Sequence, residues 1–140
     1  MAITFFSEDI QFSVKNKRIL SSWIKACIKS EGKTVGDISY IFCSDNYLLS
    51  INQQYLQHSY YTDVITFDYS RDDIVSGDIF ISVDTVRENA TLFSKEFTNE
   101  LHRVIIHGVL HLCGYGDKSD EEAAKMRILE DNSLNLLPNK

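Results

Sequence analysis

The stretch Arg103-Val-Ile-Ile-His107-Gly-Val-Leu-His111-Leu-Cys-Gly114-Tyr-Gly116-Asp117 carries most of the information about fold and chemistry. Apolar residues dominate positions 104–112, which is typical of a helix that is buried on nearly every side. His107 and His111 are four residues apart, so their rings project from one helix face and can bind a single ion. His102 falls nearly opposite His111 on the helix and is not expected to be a ligand.

The two glycines that follow allow the chain to turn back toward the histidines. Gly114 can take a positive φ and end the helix in a left-handed cap, and Gly116 gives the backbone further freedom. This turn of the chain can bring the Asp117 carboxylate toward the open side of the histidine pair. We therefore predict a metal site formed by His107, His111 and Asp117, with a fourth position left for water. The alternatives are hydrogen-bonded core histidines and an aspartate that favours the dipole of a following helix.

The spacing H-x3-H-x5-D, with a glycine three residues after the second histidine, is the layout of metzincin zinc sites with two changes. Gly108 stands where those sites have a catalytic glutamate, and Asp117 stands where they have a third histidine. A carboxylate in place of an imidazole hardens the ligand set, so Mn²⁺ and Fe²⁺ remain open beside Zn²⁺.

Outside this stretch, short runs rich in β-branched and aromatic residues predict strands, and helically spaced apolar residues predict helices. Two of the strands are separated by too few residues for a parallel crossover and are expected to pair antiparallel. The predicted fold class is α+β, or mixed α/β, with about four strands and four or five helices. The strands are 3–6, 38–43, 64–69 and 78–83, the last two being the antiparallel pair. The helices are 16–30 with Ile19, Leu20, Trp23, Ala26 and Cys27 as its apolar stripe, 45–56 after Ser44, 84–97, a helix from Thr98 or Asn99 to about 113, and one from Ser119 to about Leu134.

The chain has 140 residues, of which 44% are hydrophobic and 24% are charged. This length and composition predict a single globular domain over residues 1–140 and exclude disordered, collagen-like and disulfide-scaffold proteins. The three cysteines lack CxxC spacing, so buried free thiols are expected. With no apolar run of membrane-spanning length and no basic region before the N-terminal apolar run, we expect a cytoplasmic protein without a membrane partner.

The formal charge of −6 argues against a general polyanion-binding protein, because phosphate contacts depend on lysine and arginine. A local basic cluster nevertheless lies around the first predicted helix, formed by Lys15, Lys17, Arg18, Lys25, Lys29 and Lys33. An ordinary solvated helix face is the alternative interpretation of this cluster.

Three motifs in order resemble those of the YbeY family of bacterial metal-dependent endoribonucleases. The segment from His107 to Tyr115 is similar to the family's H-G-x-L-H-L-x-G-Y, residues 62–67 (TDVITF) to its T-D-V-L-S-F, and residues 77–82 (GDIFIS) to its G-D-I-x-I-S. The resemblance implies a small mixed sheet packed against helices, with zinc at the mouth of a cleft. It also implies cleavage of single-stranded RNA in the maturation of small-subunit rRNA and in ribosome quality control, with rRNA precursors, the ribosome or ribosomal proteins as partners.

The sequence departs from the family at two positions. Members usually close the first motif with a histidine where Asp117 stands. They also tend to have N-x-x-Y-R, whereas Asn52-Gln-Gln-Tyr55 is followed by Leu56. The family's arginine is suited to binding a phosphate group. Since this chain lacks it, other residues are expected to contact the substrate. The candidates are Lys15, Lys17 and Arg18, the loop from Gln57 to Thr62 with His58, and the tyrosines Tyr60, Tyr61 and Tyr115 as stacking platforms.

The predicted reaction is hydrolysis of an RNA phosphodiester by metal-bound water, with no residue of the chain assigned as general base. One rival is a metallopeptidase-like hydrolase, which the spacing matches but the absence of a glutamate at Gly108 opposes. The other rival is a non-catalytic ribosome-assembly factor in which the metal is structural.

Overall fold

The computed structural model describes residues 2–57 and 62–138 and contains a four-stranded sheet with helices on both faces. This architecture confirms the predicted mixed α+β class. The elements in chain order are β1 (Ile3–Ser7), α1 (Lys17–Ser30), β2 (Thr34–Cys43), α2 (Asp45–Leu56), β3 (Val64–Asp68), β4 (Ile74–Ser82), α3 (Val83–Leu92), α4 (Phe97–Leu112) and α5 (Asp120–Asn135).

The strands are arranged in the order β1-β2-β4-β3. Strands β1, β2 and β4 are mutually parallel, with Ile41 of β2 opposite Phe80 of β4. Strand β3 runs antiparallel to β4 and places Ile65 opposite Phe80. The predicted antiparallel pair is therefore confirmed, and it forms one edge of an otherwise parallel sheet.

Side chains alternate between the two faces of the sheet, so each face has its own hydrophobic core. On one face Ile38, Tyr40 and Phe42 of β2 are buried against α1 and α4. On the other face a smaller cluster packs against α2 and includes Leu48 and Ile65. The first face is the one that carries the helix with the two candidate ligands.

Helix α4 lies close against the sheet because a glycine faces it. A Cβ atom added to Gly108 would lie only 2.8 Å from Cγ2 of Ile79, a fully buried residue of β4. The Tyr40 hydroxyl of β2 donates a hydrogen bond to the Ile105 carbonyl at 3.0 Å. Both contacts fix α4 relative to the sheet, and the prediction that this helix is buried is confirmed.

Helix α5 covers α4 and reaches α1. It begins with a capping box in which the Ser119 hydroxyl accepts from the Glu122 amide and the Glu122 side chain accepts from the Ser119 amide, as the sequence predicts. Near its end, the Trp23 indole of α1 donates to the Ser133 carbonyl at 2.7 Å. These contacts hold α5 along the side of α4 that carries the histidines.

The predicted helix over 84–97 ends too late. The predicted start of the next helix is also wrong. Helix α3 stops at Leu92, and Ser94 has a φ of 55° in the turn that follows. The apolar spacing of Phe93 and Phe97 continues across this turn and mimics one helix. Because Glu96 is the residue before α4, neither Thr98 nor Asn99 caps it.

Smaller differences concern the first helix and two strands. The buried face of α1 includes Ile24 and Ile28. By contrast Ile19, which the sequence placed in the apolar stripe, is 41% exposed, and Ala26 is exposed as well. Strand β2 begins at Thr34 rather than at 38, and β4 begins at Ile74 rather than at 78, because pairing continues through polar residues.

The cysteines are free thiols, as expected. Cys27 and Cys43 are buried and Cys113 is partly buried. Among the helices of residues 2–57 and 62–138, none combines the length and the apolar character needed to cross a membrane.

Candidate metal centre

His107 and His111 lie in the last two turns of α4 and point the same way. Their ring centroids are 4.5 Å apart, and their Nε2 atoms are separated by 2.9 Å. The side chains are 20% and 24% exposed, so the pair sits at the surface end of a largely buried helix. His102 is buried elsewhere, with its ring edge-on to Trp23.

The loop after α4 returns to the histidines as the glycine pattern predicts. Gly114 has a φ of 106°, a left-handed value that favours glycine. Two residues past Tyr115, the Oδ2 atom of Asp117 lies 3.3 Å from Nε2 of His107 and 3.5 Å from Nε2 of His111. The structure thus brings together all three residues that the sequence singled out.

Each histidine is oriented by a hydrogen bond at its other nitrogen. Nδ1 of His107 donates to Oε2 of Glu130 on α5 at 2.6 Å, and Nδ1 of His111 donates to the Tyr115 carbonyl at 2.8 Å. Because a carboxylate and a carbonyl only accept, the neutral rings carry their proton on Nδ1. Both Nε2 lone pairs then face the Asp117 oxygen. This is the outer contact pattern usual for metal-binding histidines.

Glu130 is itself held in place by a second contact. It is only 7% exposed, and its Oε1 accepts from Nη1 of Arg103 at 2.7 Å. Nη2 of Arg103 donates to Asp131, also at 2.7 Å. The guanidinium therefore links α4 to α5 and fixes the carboxylate that orients His107.

The three candidate ligand atoms fit a divalent ion. Two nitrogen lone pairs and a carboxylate oxygen converge with separations of 2.9, 3.3 and 3.5 Å, and a cation between them would relieve their mutual repulsion. Ligand atoms about 2.0–2.1 Å from a tetrahedral Zn²⁺ lie about 3.3 Å from one another. The cluster of His107, His111 and Asp117 could therefore hold a metal ion.

Acidic groups around His107 shape the local electrostatics. Burial lowers the pKa of this histidine, but the hydrogen bond and charge of Glu130, together with Asp63 and Asp117, outweigh it and leave the pKa above its usual value. Asp63 immediately precedes β3, and burial raises the pKa of its carboxyl even against the attraction of His107. The carboxyl groups of Glu130, Asp63 and Asp117 thus favour a positive charge at this position.

Cys113 lies close in sequence to the centre without joining it. Burial is the main cause that raises the pKa of its thiol to about 11. A thiol in that state is not the thiolate that binds metals. The oxygen and nitrogen ligands are therefore the candidates.

Sequence reasoning missed three residues of this region: Arg103, Glu130 and Asp63. A usable signal for Glu130 exists, because it follows Met126 by four residues on the buried face of α5. A glutamate on the buried face of a helix is rarely fully buried without a partner, so such a position predicts a hydrogen bond or ion pair. Which partner it meets depends on how α5 packs, and no local pattern in the sequence encodes that.

The predicted substrate-contacting residues are only partly near the centre. His58, Tyr60 and Tyr61 lie outside the described residues. Tyr115 lies in the loop beside the ligands. Lys15, Lys17 and Arg18 are at the N-terminal end of α1, whereas Glu31, the C-cap of the helix about 20 Å further along its axis, contacts Tyr115.

Comparison with known proteins gives a consistent result along nearly the whole chain. A family model described as "Endoribonuclease YbeY" matches residues 2–138. A protein of Parabacteroides distasonis named endoribonuclease YbeY is 54% identical over 138 residues, covering 99% of this chain and 97% of that protein. One of the same name from Flavobacterium psychrophilum is 53% identical over 131 residues, covering 94% of both chains. A Thermotoga maritima protein of known solution structure superposes with a TM-score of 0.68 at 28% identity, covering 97% of this chain and 89% of that one.

Proposed function

The chain belongs to the endoribonuclease YbeY family, a family of RNA-cleaving hydrolases, and we propose on this basis that it cleaves single-stranded RNA with a divalent metal ion. We propose His107, His111 and Asp117 as the protein ligands of that ion and Zn²⁺ as the ion itself. Mn²⁺ and Fe²⁺ are the alternatives that the carboxylate ligand leaves open.

One observation carries the proposal. The Asp117 carboxylate, six residues beyond the second histidine, lies within 3.5 Å of both Nε2 atoms. With both rings neutral and their protons on Nδ1, the two Nε2 atoms and the carboxylate oxygen are all acceptors, and an acceptor gains nothing from another acceptor unless a cation lies between them. A cation shared among the three gives each of them a favourable partner.

The division of labour follows from the contacts. A bound ion would supply Lewis-acid polarisation of a phosphoryl oxygen and would lower the pKa of a coordinated water. The chain's own residues prepare the site: Glu130 and the Tyr115 carbonyl fix the ring orientations, and Asp117 supplies an oxygen ligand.

The biological setting is proposed from family membership. We propose that the substrate is a precursor of small-subunit rRNA, that the enzyme also acts in ribosome quality control with the ribosome or ribosomal proteins as partners, and that it works in the cytoplasm. We further propose that residues 1–140 act as one domain. The continuous sheet, with helices on both faces, supports this.

The test is cleavage of an unstructured RNA by purified protein, before and after removal of metal with a chelator and after its return. We expect cleavage to stop with the chelator and to resume with Zn²⁺ or Mn²⁺. His111→Ala and Asp117→Ala should each lose bound metal and activity, whereas Glu88→Ala, an exposed change on α3, should change neither. Undiminished cleavage by the two ligand variants would contradict the ligand assignment.

The peptidase alternative is disfavoured by the packing of Gly108. A glutamate there would begin with a Cβ atom 2.8 Å from the buried Ile79 side chain, so α4 would have to move away from the sheet. The glutamate that activates water in the metzincins is absent from this chain, and the close packing of α4 on the sheet disfavours any larger side chain at this position. Casein, incubated in parallel with the RNA, should remain uncut.

A further inference from the structure

Tyr115 is held by contacts with three helices. Its amide donates to the Leu110 carbonyl of α4 at 3.1 Å. Its hydroxyl donates to Oε1 of Glu31, at the end of α1, at 2.5 Å. Nζ of Lys125 on α5 lies 5.4 Å from the centroid of the Tyr115 ring. The loop that carries Asp117 is therefore connected to elements on both sides of it.

Glu31 offers a fixed attachment point although it lies 84 residues from Tyr115 in sequence. It is the C-cap of α1, directly after Ser30, and its amide donates to the Ile28 carbonyl at 3.1 Å. Ile28 and its neighbour Cys27 are buried in the main core. The carboxylate thus extends from the rigid end of a well-packed helix.

The loop itself has little stiffness of its own. Gly114 and Gly116 flank Tyr115, and glycine restricts backbone rotation less than any other residue. A Cβ atom added to Gly114 would meet nothing within 4 Å. The contacts of Tyr115 are therefore what place the backbone between α4 and Asp117.

Resting on the proposed metal centre, we propose that Glu31 is a positioning residue for metal binding. It fixes the Tyr115 side chain, whose carbonyl accepts from Nδ1 of His111 at 2.8 Å and whose loop delivers Asp117. A hydrogen bond to a carboxylate is stronger than one between neutral groups.

The experiment compares metal binding by six proteins: wild type, Glu31→Ala, Glu31→Gln, Tyr115→Phe, the double variant Glu31→Ala/Tyr115→Phe and the control Glu88→Ala. Zn²⁺ affinity is measured by competition with a chromophoric chelator, and Co²⁺ in place of Zn²⁺ reports coordination through its visible absorption. Hydrogen exchange of the Tyr115 amide in metal-free protein reports loop order independently of any ion. Glu88→Ala is the control for loss of a glutamate, and circular dichroism verifies folding.

We expect Glu31→Ala and Tyr115→Phe to weaken Zn²⁺ binding about tenfold, the lower range for residues behind the ligands. Both should reduce Co²⁺ absorption and speed exchange of the Tyr115 amide. The double variant should be no weaker than either single variant, because one contact is lost in each case. Glu31→Gln keeps an acceptor oxygen and should restore binding to within about threefold of wild type.

Two outcomes overturn the inference, and a different one overturns its premise. If Glu31→Ala binds Zn²⁺ as wild type does, with an unchanged Co²⁺ spectrum and unchanged exchange, Glu31 positions nothing. If Glu31→Gln is as weak as Glu31→Ala, charge rather than positioning is responsible. If wild type binds neither ion, the proposed metal centre fails and the inference fails with it.

Discussion

At the scale of single residues, the centre depends on groups that never touch the proposed ion. Glu130 is almost fully buried, accepts from His107 and Arg103, and lies on a helix formed after both of them in the chain. Its carboxylate orients the ring and increases the electron density on Nε2. The geometry of the proposed metal site therefore depends on α5 as much as on α4.

We predict that Glu130→Gln lowers Zn²⁺ affinity about tenfold and that Glu130→Ala lowers it more, toward a hundredfold. The glutamine keeps one acceptor for His107 but loses the charge that the Arg103 guanidinium requires. Asp131→Asn is the matched control, because Asp131 binds the same guanidinium without touching a histidine. Affinities are measured by competition titration, and equal values for Glu130→Gln and wild type would refute the role of the carboxylate.

Gly108→Ala tests how tightly the helix approaches the sheet. Alanine favours a helix by about 1 kcal/mol over glycine, but its Cβ meets Ile79 at 2.8 Å, and overpacking of this kind costs about 1–3 kcal/mol. We expect a net loss of up to about 2 kcal/mol in the free energy of unfolding, measured with urea. In an Ile79→Ala background the same change should be neutral or stabilising. A loss that persists there would show that the contact is not the cause.

Individual residues also show how much of the candidate site can be predicted from the sequence. The helical spacing of the histidines and the glycine turn were enough to bring His107, His111 and Asp117 together in prediction, because all three lie in one helix and the short loop that follows it. The contact of His107 with Glu130 and the charge of Asp63 were not predictable. These residues come from elements that pack on α4, and only the tertiary structure determines which side chains face each other.

At the scale of helices and strands, the sequence predicts a helix boundary correctly where a capping residue marks it. It fails where helical apolar spacing continues through a turn. Ser44 and Ser119 marked the starts of α2 and α5 correctly. Phe93 and Phe97 kept a helical spacing across the turn at Ser94, so α3 was predicted too long. Hydrophobic periodicity indicates which side of a segment faces the core. It can continue across a turn when the residues on both sides of the turn pack against the same core.

Helix α5 provides a prediction at this scale. Ser119→Ala removes the hydroxyl that accepts from the Glu122 amide, and loss of such a cap costs about 1 kcal/mol. Ser22→Ala, an exposed change within α1, is the control and should alter the unfolding free energy by less than about 0.5 kcal/mol. Equal effects of the two changes in chemical denaturation would show that the cap contributes nothing.

At the scale of the whole molecule, the proposed ion would connect α4, the following loop and, through Glu130, helix α5. A ligand that binds only the folded state stabilises it by about 4 kcal/mol at a thousand times its dissociation constant. For a chain of this length, that corresponds to a shift of about 10 °C or more in the melting temperature. The proposed ion would therefore stabilise the fold as well as take part in the proposed reaction.

We predict that a chelator lowers the melting temperature of the wild-type protein by about 10 °C and that added Zn²⁺ restores it. His107→Ala, which lacks a proposed ligand, should melt at the same temperature with and without chelator. The measurement is thermal unfolding followed by circular dichroism at fixed protein concentration. A wild type that is insensitive to the chelator would argue against an ion linking these elements.

The position of Glu130 has a consequence for the timing of synthesis. The carboxylate that orients His107 is made 23 residues after that histidine and well after the last strand of the sheet. Domains generally fold as units, so the sheet and α5 are expected to form together once α5 has been made. A chain interrupted before α5 has both candidate histidines but lacks the carboxylate that orients His107, so the proposed metal centre is complete only after α5 has been synthesised.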